Sequence, residues 1–342
     1  MVAMVDLPDP GWYLDNVLIS ASPGVSRLRA GPADEWHSWW TGQSHDPLVQ
    51  AGVGFVLSPS ELVAAGISAR HARTRVRRGD RLRAGYGVIA PINVADADRH
   101  LVARRRHALA STAASRRRLD HVISGRSSAI VHGLPTFRIP DRPELTQADS
   151  VGLGRRRNGS HVYGAALTAQ DRTMWFGCQV TTIARTLVDL GRHDRWDAIM
   201  AVDAALRRGL IDRRAIDLTL AGAVGWPGVR QARAVLALAD ERAESPLESL
   251  TRLRLQDDGF PVPDLQVWFG GDRVDMVFDE QRLILEIDGL DKYVKDALRL
   301  EKLRETRLRR YGYRVERVTW DDVVNHWPRT AEWLRHLLRL PA

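Results

Sequence analysis

Cysteine and lysine are what this chain has least of, and each shortage narrows what it does. Its 342 residues include one cysteine, Cys178, which leaves no internal disulfide and no thiolate cluster for zinc. No run approaches the roughly 18 to 20 apolar residues of a membrane span, although a 44% hydrophobic content is ample for buried cores. The first residues hold Asp6, Asp9 and Asp15 among prolines, without the basic-then-apolar order of a secretory leader. These absences predict a water-soluble, cytoplasmic protein with no membrane partner. Of its 50 Lys and Arg residues only Lys292, Lys295 and Lys302 are lysine, and all three fall in one short window. Such clustering invites a chemical explanation.

What is present in excess is arginine. A formal charge of +8 and an isoelectric point near 10.2 suit a polyanionic partner, because arginines that neutralise phosphates release counterions on binding. The length predicts two or three folded units at the usual ~100 to 200 residues each. Residues 1–50 carry Trp12, Trp36, Trp39 and Trp40 without a sustained period, and read as an irregular arm.

Residues 51–95 are more regular. Ser58-Pro59-Ser60-Glu61 is a capping box with proline at the first helical position, and Gly66 stops a short helix over 59–65. Ser68 caps a second helix ending before Gly79, and residues 81–90 form a hairpin turning at Ala84-Gly85. Helix, turn, helix and hairpin is the layout of a winged helix-turn-helix. Arg70, Arg73 and Arg77 share one side of the second helix, opposite Ala69, Ala72 and Val76, as suits a helix laid in a major groove of double-stranded DNA.

Residues 96–240 predict an α/β middle domain. A helix carries Arg104, Arg105 and Arg106 and the run Arg116 to Arg118, a smaller helix covers 127–132, and short strands extend to about residue 180. The arginine runs are either phosphate contacts or solvated faces. His132 lacks an acidic or nucleophilic neighbour and reads as structural. Helices punctuated by Gly191, Gly209 and Gly225-Trp226-Pro227-Gly228 follow. With residues 57–91, Val131-His132-Gly133-Leu134-Pro135 and the segment from Val180 to Asp189 in view, residues 52–240 resemble the AbiE-type (type IV) antitoxin family. The resemblance implies a winged-helix DNA reader, transcriptional autoregulation and a cognate toxin or other protein partner.

Residues 241–342 carry the chemistry. Ser245-Pro246-Leu247-Glu248 opens a helix that runs to Gly259. Strands are predicted over 265–269, 273–278 and 283–288, then a charged helix over 295–310, a strand over 313–318 and one last helix from 321 to about 340. The order is αβββαβα. Asp275 and Glu286 sit inside apolar strands, where an unpaired charge is costly, so something should neutralise them. Alternation puts Glu286 and Asp288 on one face, and an adjacent strand can bring Asp275 beside them. Three hard oxygen ligands at a strand end suit Mg²⁺ or Mn²⁺. The competing explanation is a structural salt-bridge cluster.

This arrangement resembles the PD-(D/E)XK nucleases, in the restriction-endonuclease-like group related to very-short-patch repair endonucleases. The residues that carry the resemblance are Ser245 to Glu248, Val274-Asp275, Glu286-Ile287-Asp288-Gly289, Lys292-Tyr293, Glu301-Lys302, Arg304-Glu305 and the segment from Gly312 to Trp320. It implies metal held by Asp275 and Glu286, assistance from Glu248, and phosphodiester hydrolysis. One departure is Asp288, which stands where the motif has a lysine. Asp288 is then an extra metal ligand or a base, and Lys292, four residues on, is expected to supply the missing ammonium. The fold class expected is α+β multidomain: winged helix-turn-helix, α/β middle domain and nuclease-like domain. The function expected is a metal-dependent DNA endonuclease in a defence, mobile-element or toxin-antitoxin setting, with a non-enzymatic DNA-binding regulator as the alternative.

Overall fold

A computed structural model describes residues 68, 70, 73–74, 77, 81–85, 88–91, 99–116, 120–148, 152–157, 159–175, 178–288 and 295–340. The arm expected at 1–50, the helix expected at 59–65 and Lys292 lie outside them. The chain is mixed α+β, with two mixed sheets besides a small hairpin. No helix among the described residues is long and apolar enough to cross a membrane.

Near the N-terminal end, Arg70, Arg73, Thr74 and Arg77 are helical and exposed. Strands β1 (Arg81–Gly85) and β2 (Val88–Pro91) pair antiparallel. Gly85 is still paired, to Val88, so the chain reverses later than the Ala84-Gly85 turn expected from sequence.

Helix α1 (Arg99–Arg116) leads into β3 (His121–Ile123), α2 (Gly125–Val131), β4 (Glu144–Ala148), β5 (Gly152–Arg157), β6 (Ser160–Ala165), β7 (Arg172–Trp175) and β8 (Cys178–Thr181). Six strands form one sheet in the order β5-β6-β4-β3-β8-β7, with β3 parallel to β8 and β4 parallel to β6. Ile123, Leu145 and Val180 from the sheet pack with Ala108, Leu109 and Ile130 from α1 and α2. His132 is structural here: Nε2 meets the Thr181 carbonyl at 2.8 Å, and burial lowers its pKa.

Four helices then share a second core: α3 (Ile183–His193), α4 (Arg195–Arg207), α5 (Arg213–Gly222) and α6 (Val229–Ala237). Their ends follow local chemistry. The side chains of Thr182, Asp194 and Asp212 accept backbone N–H groups at the starts of α3, α4 and α5. Gly228, at φ 78°, lets the chain pass the Arg192 carbonyl, which a Cβ there would meet at 2.5 Å.

The C-terminal unit comprises α7 (Pro246–Asp257), β9 (Asp264–Phe269), β10 (Asp272–Phe278), β11 (Leu283–Asp288), α8 (Lys295–Arg310), β12 (Arg314–Thr319), α9 (Trp320–Val324) and α10 (Trp327–Leu338). Its sheet runs β12-β11-β10-β9, antiparallel except for β11 with β12. One face buries Met276, Leu285 and Val318 against α7, α9 and α10, and the other buries Val277, Ile284 and Val315 with Leu308 of α8. The single last helix expected from sequence is two. Pro328, in the first turn of α10, has no N–H to continue a ladder from α9, and Thr319 with Asp322 closes a capping box at the start of α9.

Candidate functional site

The candidate site lies where β10 parts from β11. The ladder between them reaches Met276 opposite Leu285 and does not extend to Asp275 and Glu286. In the opening, the Asp275 side chain replaces a backbone partner: Oδ2 accepts the Ile287 N–H at 2.8 Å. β11 meanwhile stays paired with β12 as far as Asp288 opposite Thr319. A carboxylate is thus built in between the two central strands where they part, with Glu286 on the neighbouring strand.

The other neighbour of Asp275 is irregular as well. Gln266 has φ 55°, a left-handed conformation that costs a non-glycine residue on the order of 1 to 2 kcal/mol. Its Nε2 donates to Glu248 Oε2 at 2.9 Å and approaches Asp275 Oδ1 at 3.4 Å. The backbone strain therefore sits at the residue that ties two carboxylates together.

Glu248 arrives from the first turn of α7. Ser245 Oγ accepts the Glu248 N–H at 3.1 Å, and Glu248 Oε2 accepts the Glu244 N–H at 3.0 Å, a reciprocal arrangement that fixes the turn. Burial, and then the charge of Asp275, push the Glu248 pKa above its ordinary value.

Glu286 is 7% exposed, and its charge is balanced from α8, where Arg304 Nη2 lies 2.8 Å from Oε1 and 2.6 Å from the Arg273 carbonyl oxygen. Asp288, at the strand end, has Arg317 at 3.8 Å, a partly exposed pair of little energetic consequence. Among the described residues, no three carboxylates or imidazoles stand as a ready-made metal cluster. Lys302 is exposed on α8, two residues before Arg304. Sequence reasoning gave no role to Arg304 or Gln266. Arg304 carries part of the resemblance without a role, and the fold supplies one.

Away from this site, Arg70, Arg73 and Arg77 occupy helical positions whose spacing gives them a common face. A second polar feature is a cleft of ≈ 850 Å³ between the middle and C-terminal units, bordered by Arg104, Arg207, Arg208, Phe137, Ser245 and Trp320.

No family model matches the chain. Two Mycobacterium tuberculosis proteins named only as uncharacterized, one from strain H37Rv and one from strain CDC 1551, are each 35% identical to it over 171 residues. The match covers 48% of this chain, which spans 63% of the length of those relatives. Among solved structures, the RV2827C protein from Mycobacterium tuberculosis is 16% identical with a TM-score of 0.33, over 62% of this chain and 80% of that one.

Proposed function

We propose that this chain is a divalent-metal-dependent DNA endonuclease whose chemistry occurs at the parted sheet end, with duplex DNA held by the arginine face of the helix near the N-terminus. The observation that carries this reading is the insertion of Asp275 between diverging strands, onto the Ile287 amide and next in the sheet to the strand that bears Glu286. Asp275 and Glu286, with Asp288 at the strand end, offer hard oxygen donors of the kind Mg²⁺ or Mn²⁺ takes. The crowding of Glu248 by Asp275 is the electrostatic counterpart, since a cation would relieve it. A bound divalent ion would lower the pKa of a water and offset charge growing on a phosphate.

The chain's own residues do the rest. The Ile287 N–H and Gln266 orient Asp275, and Glu248 anchors Gln266. Among the described residues Arg304 is a cation that reaches Glu286, so it takes the charge-offsetting role for which the resemblance expects a lysine at position 288. A guanidinium presents a fork of donors that suits a phosphate. Lys292 remains the other candidate for that role. The setting that fits is defence, a mobile element or a toxin-antitoxin pair.

One observation favours a second reading, that of a non-enzymatic DNA-binding antitoxin or regulator. Glu286 is already neutralised by Arg304, and an acid stands in the lysine's place. Thermal unfolding with Mg²⁺ or Mn²⁺ against EDTA separates the two. The wild type should be stabilised, by about 2.7 kcal/mol when the ion is a hundredfold above its Kd, and Asp275→Ala should lose the response. Equal responses in both proteins remove the site.

A further inference from the structure

The cleft between the middle and C-terminal units is lined by three arginines and, among the described residues, one acid. α1 contributes Arg104, and the end of α4 contributes Arg207 and the following Arg208. Arg104 is half-buried, its Nη2 donating to the Leu134 carbonyl at 2.6 Å and its Nη1 lying 3.5 Å from Thr136 Oγ1. Both of these partners are neutral. Arg208 Nη1 donates to the Gly133 carbonyl at 2.9 Å, so the loop after α2 fixes both guanidinium groups by its main chain. Arg207 is exposed at the rim and makes no ion pair among the described residues. Burial, and then the charge of Arg208, lower the Arg104 pKa from its ordinary value to about 10. Like charges crowded in this way are relieved when an anion enters.

The lining also holds two aromatic rings and the start of the helix that bears Glu248. Phe137 and Trp320 stack with centroids 5.8 Å apart and an interplanar angle of 16°. Ser245 and Pro246 line the cleft at the start of α7, one turn before Glu248. The acid in the lining, Glu244, is paired with Arg273 at 2.5 Å.

We propose that this cleft binds the backbone of a single nucleic-acid strand, with Arg104, Arg207 and Arg208 facing its phosphates, and directs that strand toward the carboxylates at the parted sheet end. The volume of ≈ 850 Å³ lies in the range of small-ligand sites, about 300 to 1,000 Å³, which suits a few nucleotides of one strand. Arginines tracking a backbone beside aromatic rings are the two parts that single-strand binding needs. This surface is distinct from the Arg70, Arg73 and Arg77 face. Strand binding shares with the preceding reading only the assumption that the partner is a nucleic acid, while delivery of the strand to the carboxylates rests on that reading.

The test is fluorescence anisotropy with a fluorescein-labelled 12-nucleotide single-stranded DNA, in EDTA, using full-length protein carrying Glu286→Gln so that cleavage plays no part. Adding Arg207→Ala with Arg208→Ala should weaken binding about tenfold or more, and flatten the salt dependence by roughly 0.7 for each phosphate that is no longer neutralised. Arg207→Glu alone, at an exposed position, guards against misfolding and should weaken binding severalfold. Binding of a labelled duplex should change far less. Unchanged single-strand affinity in both variants overturns the proposal, as does equal weakening for strand and duplex, or competition by polyglutamate as effective as by unlabelled strand. Absence of cleavage by the wild type, with cleft-dependent binding intact, defeats the endonuclease reading and the delivery to the carboxylates, and leaves strand binding by the cleft standing.

Discussion

Glu248 is the residue where the site's electrostatics can be read from stability. Burial, and then Asp275, raise its pKa above the ordinary 4.5, so ionising it opposes folding. Its favourable contribution is complete below 4.5 and is lost as pH rises through the raised value. Glu248→Gln, measured in EDTA, should therefore gain in melting temperature over the wild type as pH climbs from 4.5 to 8, with the gap closing at the acid end. A gap that does not vary with pH contradicts this placement of the charge. Asp275 and Glu286 were legible in the sequence because a carboxylate in an apolar strand demands a partner. Gln266 was not, since glutamine has no preference for a left-handed backbone and its role exists only between Glu248 and Asp275. Arg304 was visible as a bearer of the resemblance, but its role was not, because the pairing with Glu286 joins a helix to a strand 18 residues away.

At the scale of the element, the turn into α7 holds the site together. Ser245 caps the helix by accepting the Glu248 N–H, and the same residue lines the cleft. Ser245→Ala should cost about 1 kcal/mol in denaturant unfolding, whereas Ser245→Thr should keep most of it. Equal stability of all three proteins would mean the cap is idle. This element was plain in the sequence because serine, proline and glutamate occupy the three positions at which a helix start needs them. The three strands after it were equally plain, bounded by Gly270-Gly271-Asp272 and Asp279-Glu280-Gln281. The last helix was misread because its apolar spacing continues across Asn325 and His326, while Pro328 fits the first turn of a new helix as well as it breaks an old one. The hairpin was placed correctly and its reversal was not, because Ala84-Gly85 resembles a turn while Gly85 in fact remains paired to Val88.

The whole molecule joins the middle and C-terminal units through contacts that no local pattern announces. Arg252 of α7 reaches the buried Asp203 of α4 at 2.7 Å, Arg195 forks onto Asp257, and Phe137 lies between Trp196 and Trp320. Sequence reading separated the units near residue 240 and was blind to this packing, since charge pairs dozens of residues apart leave no trace in spacing. The packing sets the basic cleft against the start of the helix that bears Glu248. The central claim is that Asp275 and Glu286 support metal-dependent hydrolysis of a phosphodiester. Single-turnover cleavage of an end-labelled DNA containing duplex and single-stranded segments, with Mg²⁺ or EDTA, tests it most directly. Cleavage in Mg²⁺ that falls by at least about 10²-fold in Glu286→Gln, with DNA affinity retained, is the result expected. No cleavage by the wild type, or equal cleavage by Glu286→Gln, would contradict it.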